Sequence, residues 1–201
     1  MVYIGDLNYE EIKRRITHCR DQRHRLLFAI LFLTGARIGE IVRYHRDHFD
    51  MAEKARVNPP LKDSDIFIES LPSGKKMIVF KVKKEKIKTG RPFKLIYVNP
   101  KKEWELVKIV LEAKKQKKLE GGGYLLDYST VTARKWFLKT FPEFNENIHH
   151  LRHWRATNYL LGNVTGKKMP IEIVAKLLGH KGLATTDRYD HTDVKSYAEE
   201  I

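Results

Sequence analysis

The chain has 201 residues, 42% hydrophobic and 10% aromatic, which suffices for one sizeable domain with a real core. A formal net charge of +14 and an isoelectric point near 9.7 are unlike an ordinary neutral enzyme and point to a polyanionic partner. A single cysteine, Cys19, excludes an intrachain disulfide and a cysteine-built zinc site. The longest apolar run, Leu26 to Leu33, falls far short of the ~20 residues that span a bilayer.

In chain order, Asn8 with Glu11 three residues on reads as a capping box opening a helix to about Arg20. Leu26 to Leu33 is apolar all round, as a buried helix would be, and Thr34-Gly35 supplies a left-handed stop. A third helix starts near Arg37, with Ile38, Ile41 and Val42 at helical spacing; Glu40, at i+3, can orient the Arg37 guanidinium. Strand signals follow at Ile66-Phe67-Ile68, Ile78 to Val82 and Pro92 to Val98. Lys86-Ile87-Lys88-Thr89-Gly90 reads as a hairpin tip between the last two. Asn99-Pro100 reads as a helix start, the helix running to about Leu119 and ending at Gly121-Gly122-Gly123, a flexible joint too short to divide domains. Ser129 caps a further helix, His149 to Leu161 forms the next, and Pro170 opens one with Ile171, Val174, Leu177 and Leu178 on a face. A short helix carries Thr185 to Tyr189, and 193–201 reads as a tail helix. The expected class is α+β, mostly α, with a small antiparallel sheet.

The basic excess is localised: residues 75–118 hold sixteen Lys/Arg against four Glu. Such a stripe is the footprint of a nucleic-acid binder, a solvated surface or an anionic-lipid patch being the alternatives. Further on, His149 and Arg152 lie at i and i+3 on one helix face. The unpaired amides of a helix beginning near Ile148 would favour an anion beside them. His149 and His153, at i and i+4, could instead begin a metal site, but no further ligands stand nearby in sequence. Tyr189 is a weak nucleophile unless cations stabilise its phenolate or a base takes its proton. Cations, imidazoles and a phenol without an acidic cluster suit metal-free attack on a phosphodiester.

Five stretches occur in order: Thr34-Gly35-Ala36-Arg37-Ile38-Gly39-Glu40, Lys88-Thr89-Gly90, His149-His150-Leu151-Arg152-His153, Leu178-Gly179-His180 and Thr185-Thr186-Asp187-Arg188-Tyr189-Asp190-His191. Together they resemble the catalytic domain of the tyrosine recombinases, the family of phage integrases and Xer proteins, over roughly residues 20–197. The resemblance implies that Tyr189 attacks a DNA phosphate, leaving a 3′-phosphotyrosyl link and a free 5′-hydroxyl. It implies that Arg37 and Arg152 clamp the non-bridging oxygens, His149 moves a proton at the tyrosine, and Lys88 protonates the leaving oxygen. His180 would hydrogen-bond the phosphate and Glu40 would support the site. Lys84, Lys86 and Arg91 on the same hairpin are candidate DNA contacts. No metal, other cofactor or ATP is implied.

The resemblance further implies double-stranded DNA as partner, a homotetramer on DNA from a monomer free in solution, no membrane, and a cytoplasmic, nucleoid-associated setting. The chain is expected to be a single catalytic domain over 1–201, without the N-terminal helical domain usual in the family. Its 193–201 tail would dock either on a neighbouring protomer or on its own domain. Departures from the pattern are Gly39 where serine is frequent, Trp154-Arg155 in place of Thr-Phe, and a Gly162–Met169 stretch that reads as an inserted loop. A type IB topoisomerase would use the same residue types, and a DNA-binding protein without cleavage activity is the reading from another class.

Overall fold

The computed structural model describes residues 8–42, 60–83, 93–145 and 147–178. Within them it builds seven α-helices and one three-stranded antiparallel sheet: α1 (Tyr9–Thr17), α2 (Gln22–Thr34), α3 (Ile38–Ile41), β1 (Ile66–Ser70), β2 (Lys76–Lys83), β3 (Phe93–Val98), α4 (Trp104–Leu119), α5 (Thr130–Thr140), α6 (His150–Leu161) and α7 (Ile171–Leu178). Short 3-10 turns at Asp63–Asp65 and Pro142–Phe144 complete the list. The mostly helical α+β expectation is met.

Helix α2 is the axis. Leu26 to Thr34 are all buried, and α1, α4, α5 and α6 pack around them. An element wetted on no side has to be apolar on every side, which is why this stretch lacks amphipathic periodicity. Asp21 caps its start by accepting the Arg23 amide at 2.8 Å, and Gly35 ends it at φ +56°, donating its N–H to the Leu31 carbonyl at 2.9 Å. Behind α2 sits an aromatic cluster in which Phe137 stacks on Phe141 at 4.9 Å while Phe28 and Trp154 close on them.

The sheet runs β1-β2-β3 with Ile66 opposite Phe80 and Ile78 opposite Val98. Ile66, Ile78, Phe80, Ile96 and Val98 are buried on one face and Met77, Val79 and Tyr97 on the other, so the middle of the sheet is covered on both sides. β3 is described from Phe93; the expected start at Pro92 lies outside the described residues. The hairpin tip with Lys84, Lys86, Lys88 and Arg91 lies outside the described residues, as do His180, the 185–189 helix with Tyr189, and the 193–201 tail.

Two expectations change, and a third stretch gains detail. α4 starts at Trp104, not at Asn99-Pro100; Asn99 instead caps a turn, its side chain accepting the Lys101 amide at 3.0 Å. The triple glycine is held in place: Gly122 donates to the Lys117 carbonyl at 2.9 Å, and Gly123 donates to the Asp63 carboxylate at 2.9 Å. All three take positive φ, so the sequence there answers a backbone requirement. The Gly162–Met169 stretch folds back on α6, with Met169 donating to the Tyr159 carbonyl at 3.1 Å and Val164 buried.

Candidate active site

Arg37 is the residue before α3, in extended conformation, immediately after the turn made by Gly35. Its place is set by Glu40. The buried Glu40 carboxylate accepts the Arg37 backbone N–H on Oε2 at 2.8 Å, and its Oε1 lies 3.7 Å from Arg37 Nη1. Glu40 thus binds the Arg37 backbone and stands beside its guanidinium. The Arg37 side chain stays 38% exposed.

Arg152 reaches the same place from α6. It is buried, and its two Nη atoms donate to the backbone carbonyls of Gly35 at 2.6 Å and Leu178 at 2.5 Å. A guanidinium has five N–H donors in a fixed fork, so three remain for another acceptor. Burial, then the nearby Arg37 charge, pushes its pKa down to about 10, with Glu40 opposing. The cation persists at neutral pH. Among the described residues no carboxylate pairs with it directly.

His149 stands at the start of α6 with its side chain exposed. Surrounding protein, then Arg152, His153, Arg37 and Arg134, hold its imidazole below the ordinary value. A neutral ring at pH 7 can accept a proton. The expectation that free amides at this helix end would face an anion is not met. His150 donates to the Asn147 carbonyl at 3.1 Å, Leu151 to Ile148 at 3.3 Å and Arg152 to His149 at 3.0 Å. These 3-10 bonds occupy the first-turn donors, and the positive character comes from side chains.

The chain fold thus gathers Arg37, Glu40, His149 and Arg152; Lys88, His180 and Tyr189 lie outside the described residues. Sequence reasoning missed one member. Lys94 of β3 places Nζ 2.8 Å from Glu40 Oε2 and is largely buried. In a chain with so many lysines nothing marked it except its spacing, two and four residues before Ile96 and Val98. Among the described residues no three His, Cys, Asp or Glu side chains converge, so His149 and His153 have no third donor there.

The reason α6 can present a buried cation lies beneath it. Arg155, one turn on, forms a two-point ion pair with Glu103, the residue before α4; the pair is fully buried. Tyr9 donates to the same carboxylate at 3.1 Å, and Arg155 donates to the Tyr159 hydroxyl at 2.8 Å. This network ties α1, α4 and α6 together, and it is where the Arg155 departure finds its partner.

The model of the Phage integrase family matches residues 6–196, nearly the whole chain. The chain belongs to the phage integrase family. Its fold is similar to that of a solved structure described as the XerH site-specific recombinase bound to difH substrate in a pre-cleavage complex. The TM-score is 0.56 at 17% identity, covering 97% of this chain and 50% of that one, so the likeness is one of fold. The phage integrase chain spans about half the length of that recombinase. No curated protein matches it. Among the described residues, no helix of this integrase-family chain is long and apolar enough to cross a membrane.

Proposed function

We propose that this chain is the catalytic domain of a site-specific DNA recombinase that cleaves and rejoins strands through Tyr189. The observation that carries the reading is the convergence of Arg37 and Arg152 on one site whose only carboxylate, among the described residues, is Glu40. One carboxylate leaves that cluster positive, which favours a phosphodiester and favours still more the extra charge built up as a nucleophile adds to phosphorus. The family match extends through 196 and so includes Lys88, His180 and Tyr189.

In this reading the Tyr189 oxygen attacks the phosphorus, forming the phosphotyrosyl bond while the bond to the 5′-oxygen breaks. His149, held neutral, takes the phenol proton. Lys88 gives a proton to the departing 5′-oxygen, and His180 hydrogen-bonds a phosphate oxygen. Arg37 and Arg152 hold the non-bridging oxygens throughout. The covalent link retains the energy of the broken bond, so attack by a new 5′-hydroxyl reverses the steps without ATP. Cationic side chains supply the charge stabilisation that a metal supplies elsewhere. Double-stranded DNA is the partner, contacted by Lys84, Lys86 and Arg91, in a tetramer assembled on DNA in the cell interior. The chain acts as one catalytic domain over 1–201.

The test is covalent capture. Nicked duplexes selected by binding from a random pool are incubated with the chain in EDTA and resolved on a denaturing gel. A protein–DNA adduct that vanishes in Tyr189→Phe is the expected result. Adduct formation that needs divalent metal, or that survives Tyr189→Phe, overturns the reading.

A further inference from the structure

Glu40 is a buried carboxylate, its side chain 2% exposed, shared among cations. Its Oε2 takes two donors at once, the Arg37 amide and the Lys94 ammonium, each at 2.8 Å. Its Oε1 is left facing Arg37 Nη1 at 3.7 Å, beyond hydrogen-bond range. Lys94 arrives from β3, opposite Val82, in the row of alternate residues that continues with the buried Ile96 and Val98. Lys81, on the other face of the hairpin, instead lies over the Phe93 ring at 4.6 Å. One lysine faces inward and is 14% exposed; its neighbour stays at the rim.

A carboxylate beside an arginine tends to take it in a two-point fork, the strongest arrangement available to the pair. An Arg37 so taken would have its fork occupied and turned away from any incoming anion. With Oε2 already engaged, only Oε1 remains, and Arg37 is aimed without being captured. We propose that Lys94 is a positioning residue: by holding Oε2 of Glu40 it keeps the Arg37 guanidinium oriented yet free to receive a phosphate oxygen. This rests on the strand-transfer reading for what Arg37 receives, but not for the Lys94–Glu40–Arg37 arrangement itself. Burial pushes the Lys94 ammonium below its ordinary value and Glu40 opposes this, while Arg152 and Arg37 add to the depression. The ammonium is therefore inside the same electrostatic cluster as both arginines.

The experiment compares Lys94→Met, Lys94→Arg and the double variant Lys94→Met/Glu40→Gln with the wild-type chain. Cleavage of the nicked duplex is followed in single turnover at saturating DNA, beside DNA affinity and the nitrogen-15 resonance of the Arg37 Nε–H. Lys94→Met is expected to cleave on the order of 10²-fold more slowly, with DNA affinity changed by no more than about threefold. Its Arg37 Nε–H should become slow to exchange, as in a closed fork. Lys94→Arg, which still offers a donor to Oε2, should stay within about tenfold of wild type. Neutralising Glu40 in the double variant removes the captor, so cleavage should recover about tenfold over Lys94→Met. The double variant leaves neither member of the Lys94–Glu40 pair charged without the other, which keeps the test open if Lys94→Met fails to fold. The proposal is overturned if Lys94→Met cleaves at wild-type rate, if the double variant is slower still, or if the Arg37 resonance does not move. Should the wild-type chain form no adduct at all, the strand-transfer reading falls, and the Arg37 resonance alone decides the role of Lys94.

Discussion

Arg152 donates a hydrogen bond to the carbonyl of Gly35 across 117 residues of sequence, at 2.6 Å. The glycine that ends α2 thus also receives the cation that α6 presents. A Cβ placed on Gly35 would lie 2.4 Å from Leu178 Cδ2 and 3.3 Å from Arg155 Cγ, at a φ of +56° that L side chains rarely adopt. Leu178 supplies the other carbonyl that holds Arg152. Gly35→Ala is therefore expected to lower stability by roughly 1–3 kcal/mol in urea denaturation. It should also slow cleavage at saturating DNA, because relieving the clash moves an acceptor of Arg152.

Arg152→Lys keeps the charge and loses the fork. An ammonium on a flexible stem cannot hold carbonyls of Gly35 and Leu178 while offering further aligned donors to a phosphate. The expected outcome is a single-turnover cleavage rate lower by about 10²–10³, with DNA affinity nearly unchanged. Full activity in this variant would remove Arg152 from the site.

The Arg155–Glu103 pair predicts strong non-additivity. Arg155→Met leaves a buried carboxylate with, among the described residues, the Tyr9 hydroxyl alone, and such a break typically costs about 3–5 kcal/mol. Arg155→Met with Glu103→Leu removes both charges and should recover more than half of that loss. Urea denaturation of the four chains of this cycle gives the coupling directly.

Acid should destabilise the fold before its carboxylates are reached. Loss of hydration to surrounding protein is the leading cause that holds His24, His149 and His150 below the ordinary imidazole value of 6.5. The unfolded chain then binds protons more tightly than the folded one, so stability rises with pH and is lost as pH falls below about 6.5. His150 is the sharpest case: it is buried, its Nδ1 has no hydrogen-bond partner among the described residues, and its ring lies 4.9 Å from that of Phe144. The urea midpoint should drop between pH 7.5 and pH 5.5, and His150→Phe should shrink that drop. An unchanged drop in His150→Phe would assign the effect to the other two rings.

What could be read from the sequence was what local chemistry decides. Asn8 accepts the Glu11 amide at 2.8 Å, Ser129 caps α5, and Gly35 takes the left-handed turn, each as residue type alone required. Arg37, Glu40, His149 and Arg152 were legible as a set because a motif preserves their order along the chain. What escaped depends on partners far away in sequence. α4 starts late because Glu103 before it is drawn into the pair with Arg155 and the bond from Tyr9, neither adjacent to it. Arg155 read only as a departure from the family pattern, and Lys94 as one more charge in a basic tract. Each is buried only because a carboxylate from another element awaits it. The amides at the start of α6 were misjudged for a smaller reason: a tightened first turn satisfies donors that an ideal helix leaves open.

The tie between Arg152 and the last carbonyl of α7 has a consequence for how the molecule breathes. A helix of eight residues would ordinarily fray on its own, its amides exchanging with solvent long before those of the central helices. Here, lifting α7 away would strip a buried guanidinium of one of its two acceptors and uncover Val174 and Leu178. Opening α7 therefore disturbs Arg152 and, through Gly35, the end of α2. Deuterium uptake along α7 should track that of α2 and α6 as one cooperative unit.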